Sequence, residues 1–143
     1  MDHVVYVDKK ADELSRILLG EKTMIIRGAA GRKLPYGRVN SNDVLYLIVN
    51  DGSGLVRAKA EVKSVMNSEK MTKDESMALV EKNKDQLQLS KQQYKKWAGK
   101  RYLVLIEIQG AQELEPFSID KSEYGNMDDW LPVGSVEGVK VNS

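Results

Sequence analysis

Residues 44–63 constrain the fold most, because they have the pattern of a β-hairpin. Residues 44–49 form a continuous apolar run, which is typical of a buried strand. The sequence NDGSG at residues 50–54 provides the glycine, asparagine and aspartate that favour a tight hairpin turn. Apolar and charged residues then alternate over residues 56–63, so that one face of the second strand packs on a core. The chain must therefore contain a sheet with at least one buried face.

Before the hairpin, the pattern predicts a strand, a helix, a second strand and a long loop. Residues 4–7 form the first strand, and Asp8 is placed to cap a helix that ends at Gly20. Residues 22–27 return to an extended pattern with three consecutive apolar side chains. Residues 28–42 contain three glycines and one proline, which favour a loop. Loops of this length in a compact domain are often functional.

After the hairpin, the pattern predicts two helices and further strands. Two capping boxes open the helices, Thr72-x-x-Glu75 and Ser90-x-x-Gln93. Residues 102–108 form a strand, which we expect to turn at Gly110 and pair with residues 111–117. Strands that are segregated from helices in this way predict an α+β fold, with the strands curled into a small barrel.

Composition narrows the chemistry that such a domain can perform. The 143 residues are 41% hydrophobic and 30% charged, as expected for one globular domain over residues 1–143. There is no cysteine, and His3, the one histidine, is expected at a frayed N-terminus. The lack of cysteine excludes disulfides, thiolate zinc sites and a cysteine nucleophile. The single, terminal histidine excludes a Ser-His-Asp triad and a histidine metal centre. We expect no metal and no cofactor, so that any chemistry uses Lys, Asp, Glu, Ser, Thr or Tyr.

No segment has the pattern of a membrane span or a secretory signal. The longest apolar run has six residues, whereas a span needs about 20 and the core of a signal peptide about 7–15. The sequence therefore predicts a soluble cytoplasmic protein without a membrane partner.

Charge is distributed unevenly along the chain. Residues 22–42 contain five cations and no acid, whereas residues 107–143 contain eight acids, among them Asp128 and Asp129, and two lysines. We expect residues 109–143 to be an acidic extension of the domain, with Trp130 at its apolar centre. The basic segment favours an anionic ligand nearby, although two solvated surfaces of opposite sign would show the same pattern.

Residues 20–27, GEKTMIIR, lie between the predicted helix and strand and carry a resemblance to a known family. They resemble the signature G-x-K-x-x-E-x-R of the ASCH domain, a branch of the PUA-like β-barrel superfamily. Gly20, Lys22 and Arg27 match it, and Ile25 stands where the family usually has Glu. The resemblance extends over residues 3–108 in the order of elements. It implies a small PUA-like barrel flanked by helices.

The resemblance further implies a cleft beside the barrel that accepts a nucleotide or another anionic ligand such as RNA, and we expect a binding module without catalysis. The residues expected to bind this ligand are Lys22, Arg27, Arg32, Lys33, Tyr36 and Arg38. Arginine offers a planar fork to phosphate, lysine a point charge, and tyrosine a ring for stacking. Two alternatives stay open: Arg27 pairs with an acid such as Glu81 or Asp43, and Tyr36 packs on the end of the barrel.

Two other functions remain possible. One ASCH branch resembles an amidohydrolase of acetylated cytidine, which uses a Lys, a Thr and a Glu. The chain is then a hydrolase of a modified nucleoside or of RNA, with Lys22 and Glu81 as catalytic residues. Ile25, however, replaces the threonine nucleophile, and Glu81 could equally be a solvated partner of Lys84. In the third interpretation, the acidic tail around Trp130 binds a protein partner.

Overall fold

The computed structural model describes residues 1–124 and 129–141, and it contains a single mixed sheet with helices packed on it. The elements are β1 (Asp2–Val7), α1 (Glu13–Leu18), β2 (Met24–Ala29), β3 (Val44–Val49), β4 (Leu55–Asn67), α2 (Lys73–Lys82), α3 (Lys84–Leu87), α4 (Lys91–Trp97), β5 (Tyr102–Ser118), β6 (Trp130–Gly134) and a 3₁₀ turn (Val136–Gly138). The six strands lie in the order β2-β5-β4-β3-β1-β6. Only β1 and β3 are parallel among these pairs of described strands. The sheet forms a half-barrel, so the predicted α+β fold is confirmed.

The predicted hairpin is β3 and β4, and it supplies much of the barrel interior. The apolar residues of the alternating pattern, Val56, Ala58, Ala60 and Val62, are all buried. Ala58, Ala60 and Val62 pack against aliphatic side chains of β1, β3 and β5, whereas Val56 packs in a separate cluster with Val4, Ile48 and Leu131. Burying one such Val or Leu side chain stabilises a fold by about 1.5–3 kcal/mol. Ile25 of β2 lies in the same interior.

A second apolar layer holds the helices against the outer face of the sheet. Ile26 of β2 packs there with Val80 of α2, Leu87 of α3 and Trp97 of α4. Both predicted capping boxes are present, at the N-termini of α2 and α4. Because Ile25 and Ile26 are adjacent on one strand, they point to opposite layers. This packing fixes α4 beside β2.

The expectation of a turn at Gly110 is wrong. Residues 102–118 form one continuous strand, β5, because β4 is long enough to pair with both of its halves. Glu61 pairs with Gln109 whereas Lys59 pairs with Gln112, which marks a β-bulge. Gly110 lies in this bulge with φ of 62°, a left-handed conformation that glycine adopts at little cost.

The start of the first helix also differs from the expectation. Helix α1 begins at Glu13, and Asp12 before it has φ of 55°, which interrupts helical geometry. The Asp8 carboxylate instead accepts the backbone N–H of Lys10 at 2.9 Å. Asp8 therefore stabilises a turn, an alternative that short acidic side chains commonly favour over helix capping.

His3 is buried, which corrects the expectation of a frayed terminus. It lies in β1, and β1 is held between β3 and β6. The indole Nε1–H of Trp130 donates to His3 Nδ1 at 3.0 Å. Since Nδ1 accepts, Nε2 carries the proton and donates to Asp43 Oδ2 at 2.9 Å.

The C-terminal tail contributes the edge strand β6. Trp130 and Leu131 are each only 1% exposed. Trp130 is thus a core residue, and a protein partner for the acidic tail around it stays a prediction. Asp128 of the acidic stretch lies outside the described residues.

Candidate functional site: a groove at the seam of the half-barrel

Arg27 bridges the two ends of the open sheet. It lies on β2, which is one edge, and its side chain reaches the opposite edge region formed by β1 and β6. Nη2 donates to the backbone carbonyl of Tyr6 in β1 at 2.7 Å, and Nη1 donates to the carbonyl of Ile26 at 2.8 Å. The guanidinium therefore connects strands that share no ladder, because its planar fork can serve two acceptors at once.

Aromatic rings and one carboxylate surround this guanidinium. Arg27 Cζ lies 5.6 Å from the ring centroid of Trp97 and 5.7 Å from that of Trp130, within the range of cation–π attraction. Asp129 Oδ2 lies 3.1 Å from Arg27 Nε. Nε makes no hydrogen bond within the described part of the chain, so this contact is an ion pair without hydrogen-bond alignment. The acid that pairs with Arg27 is therefore Asp129, rather than Glu81 or Asp43.

Two adjoining cavities flank Arg27, and we call them together the seam groove. Their shared lining residues are Arg27, Lys96, Trp97 and Asp129. The smaller cavity has a volume of about 250 Å³ and is further lined by Tyr6, Val7, Asp8, Glu13, Asn50, Gln93 and Lys121. The larger has a volume of about 410 Å³ and is further lined by Gly28, Ala29, Ala30, Lys33, Leu34 and Lys100.

The two cavities differ in charge. Four cations line the larger cavity, Arg27, Lys33, Lys96 and Lys100, and Asp129 is the only acid among its described lining residues. In the smaller cavity, three cations face the carboxylates of Asp8, Glu13 and Asp129. A low-dielectric concave surface with excess positive charge attracts anions, so the larger cavity is the part of the groove suited to phosphate.

The loop that follows β2 contributes fewer residues to the groove than the sequence predicts. Lys33 lines the larger cavity. Arg32 lies over the rings of Tyr36 and Tyr102, 5.6 Å from each centroid. The Tyr36 hydroxyl donates to the Ser68 carbonyl, and its ring packs edge-on against Tyr102, so this ring already has protein partners.

Arg38 is exposed and lines neither cavity of the seam groove. Of the six residues predicted to bind a ligand, the structure brings Arg27 and Lys33 together at the groove. The binding roles of all six stay predictions.

Lys22 lies beneath the groove in a buried ion pair. Its side chain is 1% exposed, and Nζ is 3.3 Å from Glu13 Oε2 and donates to the carbonyl of Leu87. Burial lowers the pKa of Lys22, and the attraction of Glu13 offsets part of that effect. Glu13 Oε1 also accepts the N–H of Asp8 at 2.8 Å, so the carboxylate is held from two sides. Glu13, in turn, lines the smaller cavity.

Glu81 lies elsewhere, on α2. Its carboxylate is 62% exposed and 3.1 Å from Lys84 Nζ. It lines a separate cavity of about 320 Å³, together with Arg16, Gln88 and Tyr94. Lys22, Arg27 and Glu81 therefore do not converge on one cavity. Ile25 is fully buried in the barrel interior, so its position provides no hydroxyl to any of these sites.

The sequence interpretation missed the lysines of α4 and of the segment after it. Residues 91–101 contain five cations and no acid around Trp97, the same excess as residues 22–42. That basic run around an aromatic residue is the signal that could have identified Lys96 and Lys100. Local patterns identify Asn50 as a turn residue and Gln93 as a capping residue, but they do not indicate that these two or Lys121 reach the groove, which follows from the tertiary fold.

Two further features bear on the class of site. Within residues 1–124 and 129–141, no cluster of three His, Asp or Glu residues is placed to hold a metal ion. None of the described helices has both the length and the apolarity that crossing a bilayer requires.

Comparison with solved structures identifies the fold. No protein-family model matches the chain, and no curated protein matches it. A crystal structure of ASCH from Zymomonas mobilis is similar at a TM-score of 0.65 and 15% identity, covering 90% of this chain and 85% of that one. A tyrosine-to-phenylalanine variant of that protein gives a TM-score of 0.66 at 15% identity, covering 90% and 87%. A serine-to-alanine variant gives 0.60 at 16% identity, covering 82% and 73%. The chain has an ASCH-like fold, which confirms the fold implied by residues 20–27.

Proposed function

We propose that the protein is an RNA- or nucleotide-binding module that holds ligand phosphate in the larger cavity of the seam groove. The observation that supports this most directly is the excess of cations there, four against the single described acid Asp129. The ASCH-like fold supports it in turn, since the family resemblance implies a cleft beside the barrel that accepts RNA or a nucleotide.

The cations have different roles in this proposal. Arg27 is fixed by its bonds to Tyr6 and Ile26, so it supplies a preorganised positive charge at the junction of the cavities. Lys33, Lys96 and Lys100 are exposed, so their long side chains can follow successive phosphates. Contacts of this kind release counterions from the nucleic acid and make the affinity depend on salt.

The test is the salt dependence of binding to a fluorescently labelled octauridylate, followed by anisotropy. The double variant Lys96→Ala with Lys100→Ala removes two cations of the groove. If each contacts one phosphate, the slope of log affinity against log salt should flatten by about 1.4. The matched control is Lys91→Ala with Lys95→Ala, which removes two exposed lysines of α4 that do not line the groove. Equal slopes and affinities in both double variants would contradict the proposal.

A hydrolase of a modified nucleoside or of RNA is the second candidate, and Lys22 is the observation that favours it. A lysine whose pKa burial lowers is a more available base, and its partner Glu13 reaches the smaller cavity. Ile25 supplies no nucleophile, so water would have to attack the substrate. We therefore expect no product from acetylated cytidine by chromatography. Product formed by the native chain and lost in Glu13→Gln would favour the hydrolase instead.

A further inference from the structure

We propose that Asp129 is a specificity-determining residue of the seam groove, which selects nucleotides whose base carries an amino group. This inference rests on the proposed function, because it assigns a base-reading role within the same groove. The supporting observation is the position of the Asp129 carboxylate. It lies beside Arg27 and Trp97, where the cationic cavity meets the cavity of mixed charge.

Asp129 is placed where a bound nucleotide would change from phosphate to base. It lines both cavities, and its side chain is 43% exposed although it contacts Arg27. The 3.1 Å contact with Arg27 Nε orients one carboxylate oxygen, and the exposed part of the group faces solvent in the groove. A ligand in either cavity therefore meets this carboxylate.

The smaller cavity has the character of a base-binding site rather than a phosphate site. Its three cations are matched by the carboxylates of Asp8, Glu13 and Asp129, so it offers no excess positive charge to an anion. It also presents the NH₂ groups of Asn50 and Gln93, whose amide oxygens accept the backbone N–H groups of Lys9 and Ser90, and the indole of Trp97 forms part of its wall. Most of this lining is charged or polar, and hydrogen-bonding side chains beside an aromatic wall are what the polar edge and the ring of a base require.

The chemistry of the carboxylate determines which bases fit. An ionised carboxylate only accepts hydrogen bonds, and the exocyclic amino group of cytosine is its natural donor. Uracil has a carbonyl oxygen at the corresponding position, and this acceptor would face the carboxylate without a proton between them. A buried or partly buried polar pair of that kind loses its hydration without gaining a bond.

Asp129 has a second effect that makes the role testable. Its negative charge neutralises part of the field of Arg27 and so weakens the attraction of any anion. Replacing it with asparagine should strengthen the binding of pyrophosphate, which has a charge but no base, and should remove the preference between bases. A residue with a merely structural role would change the binding of all ligands alike.

The experiment compares octacytidylate, octauridylate and pyrophosphate on the native chain, Asp129→Asn and Asp120→Asn. The two RNAs carry equal charge, so their electrostatic attraction cancels in the ratio of affinities. Asp120→Asn is the matched control, because Asp120 is an exposed acid of the same tail and asparagine keeps the oxygen that accepts Ser122 N–H.

We expect the native chain and Asp120→Asn to bind octacytidylate about tenfold tighter than octauridylate. In Asp129→Asn, the ratio should fall to about one while pyrophosphate binds more tightly. Equal binding of the two RNAs by the native chain, a result that needs no variant to fold, would overturn the inference and leave the proposed function standing. A preference that survives in Asp129→Asn would also overturn it. Failure of both RNAs to bind the native chain would overturn the proposed function and the inference together.

Discussion

The two ion pairs that contain the candidate catalytic residues have similar geometry and opposite environments. Lys22 Nζ is 3.3 Å from Glu13, and Lys84 Nζ is 3.1 Å from Glu81. The first pair is buried between α1 and β2, with both side chains at most 5% exposed, whereas the second lies in solvent with both above 60%. The distance between nitrogen and oxygen alone therefore does not show which ion pair matters more for stability. The desolvation of Lys22 and Glu13 makes each dependent on the other, while water can replace either member of the exposed pair.

The contact of Arg27 with Asp129 lies between these extremes. Arg27 is almost fully buried and Asp129 is nearly half exposed. Arg27 also has two backbone acceptors and two aromatic rings, so its charge does not depend on the carboxylate alone. Because of this difference, the Asp129 carboxylate is accessible to a ligand, whereas Glu13 belongs to the fold as much as to any site.

The largest expected effect comes from Lys22→Met, which removes the partner of a buried carboxylate. Glu13 keeps its bond from Asp8 but loses its compensating charge. We expect the free energy of unfolding in urea to fall by about 3–5 kcal/mol. The double variant Lys22→Met with Glu13→Gln should recover most of this loss, because it leaves no unpaired charge. A loss below about 1 kcal/mol in the single variant would show that the pair is not desolvated as described.

Arg27→Met should have the next largest effect. It removes the side chain that connects β2 to β1 and leaves the carbonyl of Tyr6 without this donor. Hydrogen bonds from a charged donor are worth about 1.5–3 kcal/mol, so we expect a loss of about 2–3 kcal/mol in urea unfolding. Arg38→Met is the matched control, since Arg38 is exposed on the loop after β2 and its replacement should cost little. Similar losses in the two variants would refute the bridging role of Arg27.

A smaller effect should appear as a pH dependence specific to Lys22. Because its pKa is lowered in the native state, the native chain releases this proton before the unfolded chain does. Stability linked to Lys22 should therefore rise as pH increases from the lowered native pKa toward the ordinary value of 10.5. The measurement is urea unfolding between pH 7 and 10 for the native chain and for Lys22→Met with Glu13→Gln. If the two show the same dependence, Lys22 does not titrate as proposed.

Local patterns in the sequence were sufficient to predict the secondary-structure elements around these ion pairs. The β3–β4 hairpin and both capping boxes were predicted correctly, because each is encoded within a few residues. The order of the elements predicted the α+β class, and the resemblance at residues 20–27 added the ASCH-like fold. The turn at Gly110 was wrong for a related reason: glycine marks a break in regular geometry, but β4, which is distant in sequence, decided that the break is a bulge.

The geometry of the seam groove depends on tertiary contacts, which no local sequence pattern encodes. Asp129 and Trp130 reach Arg27 only because β6 pairs with β1 at the far edge of the sheet. The burial of His3 follows from the same pairing. Periodicity shows that one face of a strand is buried, but it does not show which strand or tail covers that face. Lys22 and Glu81 could therefore be recognised individually, but only the tertiary structure shows that Lys22 lies in a buried ion pair and Glu81 in a separate solvent-exposed cavity.

The smallest effect is expected for the exposed ion pair, Glu81 with Lys84. Glu81→Gln removes one charge of a solvated i,i+3 pair on α2, where water and salt already screen the attraction. We expect no shift of the urea midpoint beyond experimental error, either in this variant or with Lys84→Met added, and no change in affinity for octauridylate. Glu13→Gln is the informative contrast, because it makes the same chemical change in the buried pair and should lower the midpoint. A clear destabilisation by Glu81→Gln would show that solvent does not screen this pair, and a loss of RNA affinity that Lys84→Met does not reproduce would give Glu81 a role in ligand binding. The two candidate catalytic residues would then have to be brought together by a conformation in which the cavity beside α2 and the seam groove are joined.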